Sequence, residues 1–97
     1  MQAMKKVEII VDSVELRRVS EVLDRLGVSG CSVIRDVRGK GDRGTRGGDE
    51  LTDVFRNSYI LTVCSLEQVD TVVEAIRPIL KKWGGVCLVS DCAWVKH

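Results

Sequence analysis

A chain of 97 residues, 44% hydrophobic and 30% charged, has room for one small domain with its own core, and we expect residues 1–97 to form that single domain. Fifteen Lys and Arg against 14 Asp and Glu leave a formal net charge of +1, which excludes a protein that coats nucleic acid through a general positive field. No apolar run approaches the length of a membrane span and the N-terminus lacks a signal-peptide core, so the expected location is cytoplasmic, with no direct membrane insertion.

Lys5 to Val11 reads as a first strand, with Val7, Ile9 and Val11 on one face and Lys6, Glu8 and Ile10 on the other. Asp12 with Glu15 three residues later has the form of a capping box. Leu16, Val19, Val22, Leu23 and Leu26 follow at helical spacing, and Gly27 supplies the stop. A second strand runs from Cys31 to Val37, where Val33 and Val37 alternate with Ser32 and Asp36. Beyond it, Leu51, Val54 and Phe55 suit either one helical turn or a hydrophobic hook. Ser58 to Cys64 is the clearest strand in the chain. Ser65 with Gln68 repeats the capping pattern, and Val69, Val72, Val73, Ile76, Ile79 and Leu80 form a second helical stripe. Pro78 should kink that helix or tighten its last turns, and Gly84 and Gly85 end it. Val86 to Val95 is the last strand, apolar on both faces, which implies that both faces are covered: one by the helices, the other by a second subunit. The order β-α-β-loop-β-α-β predicts an α+β, ferredoxin-like βαββαβ fold, a four-stranded antiparallel sheet with two helices on one face.

The segment between the second and third strands has a different character. Arg38-Gly-Lys-Gly-Asp-Arg-Gly-Thr-Arg-Gly-Gly48 holds five glycines and the cations Arg38, Lys40, Arg43 and Arg46, opposed only by Asp42. It has no hydrophobic period. Glycines let backbone amides approach a ligand, and interleaved Arg and Lys suit phosphate or carboxylate. The same composition describes a solvated basic loop, and both readings stand. Ser32 either hydrogen-bonds a ligand from the sheet or is a plain strand serine, and Gly84-Gly85 is either a ligand-facing turn or a helix cap. Trp83 and Trp94 read as core or interface residues rather than as stacking platforms. The four cysteines lack C-x-x-C spacing and the one histidine is His97, so no metal site is expected; Cys31, Cys64, Cys87 and Cys92 read as buried, reduced thiols. No Cys–His or Ser-centred constellation is present, so no catalytic residue is assigned and no enzyme is expected.

Gly27-Val-Ser-Gly-Cys-Ser-Val33 followed by Val37-Arg-Gly-Lys-Gly41 resembles the second strand and the start of the T-loop in PII signal-transduction proteins. The run Gly39 to Arg46 is closer still to the PII-like proteins that accompany bicarbonate transporters and carboxysomes. The resemblance implies a homotrimer with sheets packed around a central axis and adenine nucleotides in clefts between subunits. A T-loop, here about residues 38–57, would respond to the ligand and engage a bicarbonate transporter or carboxysome-associated partner. It further implies that Ser32, Gly39, Lys40, Gly41, Gly84 and Gly85 contact the nucleotide and that Arg38, Arg43 and Arg46 supply the responsive charge.

The family's charged B-loop is shortened here to Gly84-Gly85, the glutamine of nitrogen-sensing members is replaced, and no tyrosine lies in the loop, which excludes uridylylation there. Lost charge at the phosphates predicts ADP or AMP over ATP, with no covalent cofactor; the resemblance alone implies bicarbonate as a second anion. The alternative from the residues is a ferredoxin-like RNA-binding module using the Arg/Gly-rich loop. Tyr59-Ile-Leu-Thr-Val63 lacks the stacking aromatics such a module uses.

Overall fold

The computed structural model describes residues 1–38 and 56–97. Its elements are β1 (Gln2–Asp12), a 3-10 turn (Ser13–Glu15), α1 (Leu16–Arg25), β2 (Cys31–Val37), β3 (Asn57–Cys64), α2 (Val69–Trp83) and β4 (Val86–Trp94). The four strands form one sheet in the order β2-β3-β1-β4, and each neighbouring pair is antiparallel. This is the ferredoxin-like arrangement expected from the element order, with both helices on one face. The segment from Asp49 to Phe55, with its choice of turn or hook, lies outside the described residues.

The helical stripes and the β1 alternation meet as the periodicity demands. Val7, Ile9 and Val11 from β1 and Ile60 from β3 are fully buried against Val19 and Leu23 of α1 and Val72 and Ile76 of α2. Leu16, Leu26, Val73 and Leu80 pack around the edge of that cluster. Of the three buried polar residues of β3, Asn57, Ser58 and Thr62, the two hydroxyls are held by hydrogen bonds. Thr62 Oγ1 donates to the Gly30 carbonyl at 2.6 Å, and Ser58 Oγ meets Ser13 Oγ at 2.7 Å. Strong bonds here matter because a buried hydroxyl without a partner costs about 1–3 kcal/mol.

Several local expectations need correction. β1 begins at Gln2 rather than Lys5, because Gln2, Ala3 and Met4 pair with Trp94, Ala93 and Cys92 of β4; that is a tertiary signal, invisible in the N-terminal residues themselves. The first capping box is only half formed. Asp12 accepts from the Val14 amide at 3.0 Å, but Asp12 is still part of β1, opposite Asn57, and Glu15 turns instead to Arg18 Nε at 2.8 Å. At Ser65 the hydroxyl accepts from the Gln68 amide at 3.1 Å, as expected of a cap. α2 runs unbroken to Trp83, five residues past Pro78. Pro78 sits on the exposed side, where water can meet the Glu74 carbonyl that loses its amide partner. Beyond the proline, Trp83 is held between the Arg18 guanidinium at 4.3 Å and the Lys82 ammonium at 4.7 Å from its ring centre.

The plain alternation expected along β2 fails at one point. Ile34 lies opposite Tyr59 but Val37 opposite Asn57, so Arg35 and Asp36 together face Ser58 across a β-bulge, and Asp36 has φ +60°. The helices also cover β4 less than its two-sided apolarity suggested. Cys87 is half-buried under them, but Val89 remains 44% exposed because β4 is an edge strand and the core centres on β1 and β3.

The cysteines divide by position. All four are free; Cys64 is buried, Cys87 and Cys92 are half-buried, and Cys31, at the start of the edge strand β2, is exposed, contrary to the expectation for it. Burial pushes the Cys64 thiol up, with Cys92 adding to the effect, and burial also raises Cys87. The thiolate is the reactive form. A neutral-pH thiol reagent is therefore expected to modify Cys31 first and to leave Cys64 untouched until denaturant is added. Mass spectrometry of the timed digest reads this directly, and equal rates at Cys31 and Cys64 would show that the core opens.

Candidate functional site

The sheet face turned away from the helices organises the site. Residues directly opposite share a face, so Ser32 of β2, Leu61 of β3, Glu8 of β1 and Leu88 of β4 lie in one row across it. Around that row the face is mainly apolar: Ile34 is 57% exposed, Leu88 53%, Trp94 48% and Val86 45%. Its polar centre is paired internally. Tyr59 donates from its hydroxyl to Glu8 Oε2 at 2.7 Å, with Lys6 Nζ 3.9 Å from the same carboxylate. The bond to Glu8, then burial and the repulsion of that negative charge, raise the Tyr59 pKa, so the phenol stays a donor.

At one end of the face is a cleft of about 480 Å³. Ser29, Gly30 and Ser32 line one part of it, Leu61 and Val63 another, and Trp94 a third. The Thr62 bond to the Gly30 carbonyl fixes the turn that precedes β2, so the two serines start from a defined backbone. Apolar side chains beside an exposed indole, edged by two hydroxyls, suit a flat heteroaromatic ring with polar substituents.

The sequence-predicted residues fall into two groups. Ser32 lines this cleft. Arg38 lies past the far end of β2, exposed, about 20 Å from Ser32 at the usual rise per strand residue. Gly84 and Gly85 lie at that far end too, because the next residue, Val86, pairs with Ile10, which pairs with Tyr59 and so with Ile34. Gly84 caps α2, its amide donating to the Leu80 carbonyl at 2.8 Å. Gly39, Lys40, Gly41, Arg43 and Arg46 lie outside the described residues. One protomer thus does not bring Ser32 and the Gly84–Gly85 turn together: Ser32 is on the edge strand β2, and the turn leads into the opposite edge strand β4, three residues before Leu88 of the row that Ser32 shares. Of this lining only Ser32 is a candidate from the sequence, and the residues with the most to offer a ligand besides it are Ser29 and Trp94. Ser29 lies inside a motif whose visible signal is its glycines, and Trp94 has no aromatic neighbour in sequence. What places it is the cross-strand register. Among the described residues, no cluster of His, Cys, Asp or Glu could hold a metal ion, and no helix is long and apolar enough to cross a membrane.

Comparison with known proteins gives this arrangement its family. The model of the nitrogen regulatory protein P-II family matches residues 4–97. A nitrogen regulatory protein P-II of Rhodobacter capsulatus is 38% identical over 78 residues, spanning 75% of this chain and 69% of that protein. Among solved structures, CPII, a nitrogen regulatory PII-like protein from Thiomonas intermedia K12 bound to ADP, AMP and bicarbonate, superposes with a TM-score of 0.83 at 25% identity, over 98% of this chain and 96% of that one. CPII from the same organism bound to ADP and bicarbonate gives a TM-score of 0.78 at 28% identity, over 93% and 86% of the two chains. The chain belongs to the nitrogen regulatory protein P-II family and is a PII-like signalling protein.

Proposed function

We propose that residues 1–97 form a single-domain, non-enzymatic and cytoplasmic PII-like sensor. It binds ADP or AMP in preference to ATP at the interfaces of a homotrimer and takes bicarbonate as a second ligand. A T-loop over residues 38–57 carries the response to a partner in inorganic-carbon uptake or carboxysome function. The observation that supports this most is the division of the candidate site. The cleft with Ser29, Ser32 and Trp94 is at one end of the open face, and Arg38 and the Gly84–Gly85 turn are at the other. A ligand that uses both ends needs two protomers, and the exposed apolar row around Leu88 gives them a surface to pack.

In this reading the cleft takes the adenine and ribose of one protomer's share. The neighbouring protomer supplies Gly39, Lys40, Gly41, Gly84 and Gly85 toward the phosphates, with Arg38, Arg43 and Arg46 as the responsive charge. The turn before β4 contributes backbone but no cation of its own. Each missing charged hydrogen bond is worth about 1.5–3 kcal/mol, which disfavours a third phosphate. The ADP, AMP and bicarbonate bound by CPII support the choice of ligands.

Isothermal titration with AMP, ADP, ATP and bicarbonate, singly and in pairs, tests the reading. Tighter binding of ADP or AMP than of ATP, strengthened by bicarbonate, is the expected result. Ser32→Ala, which removes one hydroxyl from the cleft, should weaken nucleotide binding about five- to tenfold, the worth of one hydrogen bond. Absence of binding by every nucleotide would overturn the reading.

A further inference from the structure

The sheet has a second cleft, on its other side. It measures about 520 Å³ and lies where the 3-10 turn and the start of α1 meet the bulge of β2 and the entry to β3. The nucleotide reading makes no use of it, and the sheet separates it from the cleft of Ser32. Ser58, which lines it, pairs with Val11 of β1 and so belongs to the helix-facing side.

Its lining is cationic. Arg17 comes from α1, Arg35 from β2 and Arg56 from the residue before β3; among the described residues of the lining only Asp36 opposes them, so these three guanidinium groups and one carboxylate sum to +2. None of the three arginines has an ion-pair partner among the described residues, whose pairs are Lys5–Asp91, Lys6–Glu8, Arg18–Glu15 and Arg77–Glu74. Three unpaired arginines brought into one concavity repel one another, a cost that a bound anion relieves.

The backbone is shaped to hold them there. The bulge puts Arg35 and Asp36 together against Ser58, where regular pairing would send successive residues to opposite faces. Asp36 holds φ +60°, a left-handed conformation that aspartate adopts more readily than most residues and that goes with the bulge. The Ser13 amide donates to the Arg56 carbonyl at 2.8 Å and fixes the root of that side chain. Ser13 Oγ meets the buried Ser58 hydroxyl at 2.7 Å, and with Ser58 as the donor the Ser13 proton is left for a ligand. Ser20 adds a third hydroxyl.

We propose that this cleft binds a phosphate group, as free phosphate or as a phosphomonoester. A tetrahedral dianion matches the net charge and offers acceptors on every side to guanidinium forks and hydroxyl donors. A planar monoanion such as bicarbonate matches half of that charge. The described lining comes from one protomer, and the proposal does not depend on the nucleotide reading.

The test is an amide-shift NMR titration of the intact protein at constant ionic strength with inorganic phosphate, glycerol phosphate and, as comparison, bicarbonate. Saturable shifts at Ser13, Ser20, Arg35 and Ser58 are expected from the phosphates and not from bicarbonate. Tighter binding of glycerol phosphate identifies a phosphomonoester as the ligand, and tighter binding of inorganic phosphate identifies the free anion. Arg17→Gln with Arg35→Gln should weaken the response at least tenfold while leaving ADP-induced shifts at Ser29 and Ser32 in place. Should the double variant lose its dispersed spectrum, Arg17→Gln alone, an exposed change on α1, should weaken it at least threefold. Shifts confined to Ser29–Ser32 and Gly84–Gly85, an equal response to bicarbonate, or arginine variants that titrate like the parent would overturn the proposal.

Discussion

Gly85→Ala is expected to lower the stability of the protein by about 3 kcal/mol or more, the sum of backbone strain and forced overlap in a packed turn. A Cβ built at Gly85 would stand 2.7 Å from the Ile10 carbonyl oxygen and 3.0 Å from both Leu80 Cδ2 and Val11 Cγ1, on a residue held at φ +133°. Leu80 can swing aside. Ile10 cannot, because its backbone belongs to β1 and is paired on both sides, with Tyr59 and with Val86. The comparison that isolates this clamp is Gly27→Ala. Gly27 also has positive φ, +75°, but nothing lies within 4 Å of its Cβ position, so only the left-handed strain remains, about 1–2 kcal/mol. Gly30→Ala, with neither positive φ nor a near neighbour, should be close to neutral. Urea unfolding of the three variants, analysed at a common slope, gives the ranking. If Gly85→Ala falls within 1 kcal/mol of Gly27→Ala, the turn has more room than the close approach to Ile10 allows. The glycine pair is thus accounted for by a helix cap and a tight passage to β4, and any ligand that meets it there meets backbone.

The contrast among these glycines shows what can and cannot be read before folding. Gly27 and Gly84 sit after helical stripes and are visible as stops from sequence alone. The requirement at Gly85 comes from a β1 carbonyl more than 70 positions away in the chain. The same division holds elsewhere. The stripes of Val19 with Leu23 and of Val72 with Ile76, and the alternation of Val7, Ile9 and Val11, report directly the faces that meet in the core. Register leaves no such trace. Ser32-Val-Ile-Arg-Asp-Val37 reads as an unbroken strand, and the bulge at Arg35 and Asp36 emerges only when the pairing with Tyr59 and Asn57 is known. Glu15 looks like a capping residue until Arg18 is seen to take it. The candidate site follows suit. Ser32 was legible as part of a motif, whereas Trp94, far along the chain, reaches the same cleft only through the order β2-β3-β1-β4.

Leu88→Asp is expected to convert the proposed trimer to monomers without unfolding the protomer. In one chain Leu88 is 53% exposed and lies in the row with Glu8, so the carboxylate would face water and the β1–β4 pairing would persist. In an assembly whose open faces pack together, the same change removes a buried leucine, worth about 1.5–3 kcal/mol, and buries a charge beside an existing carboxylate at a cost of several more. Symmetry repeats the penalty in each subunit, so association should weaken well over a thousandfold. Leu66→Asp supplies the control, since Leu66 is 50% exposed but lies in the turn between β3 and α2 rather than on the sheet. Its variant should sediment like the parent. Analytical ultracentrifugation reads the outcome, with circular dichroism confirming the fold. The two clefts then respond differently. Nucleotide affinity should collapse in Leu88→Asp, because the proposed site draws Ser32 and Gly84–Gly85 from different protomers. Phosphate shifts at Ser13 and Ser58 should survive, because the arginine cleft is built by one chain. A monomer that still binds ADP at parental affinity would mean that a single open face holds the whole nucleotide, and the intersubunit site would have to be given up.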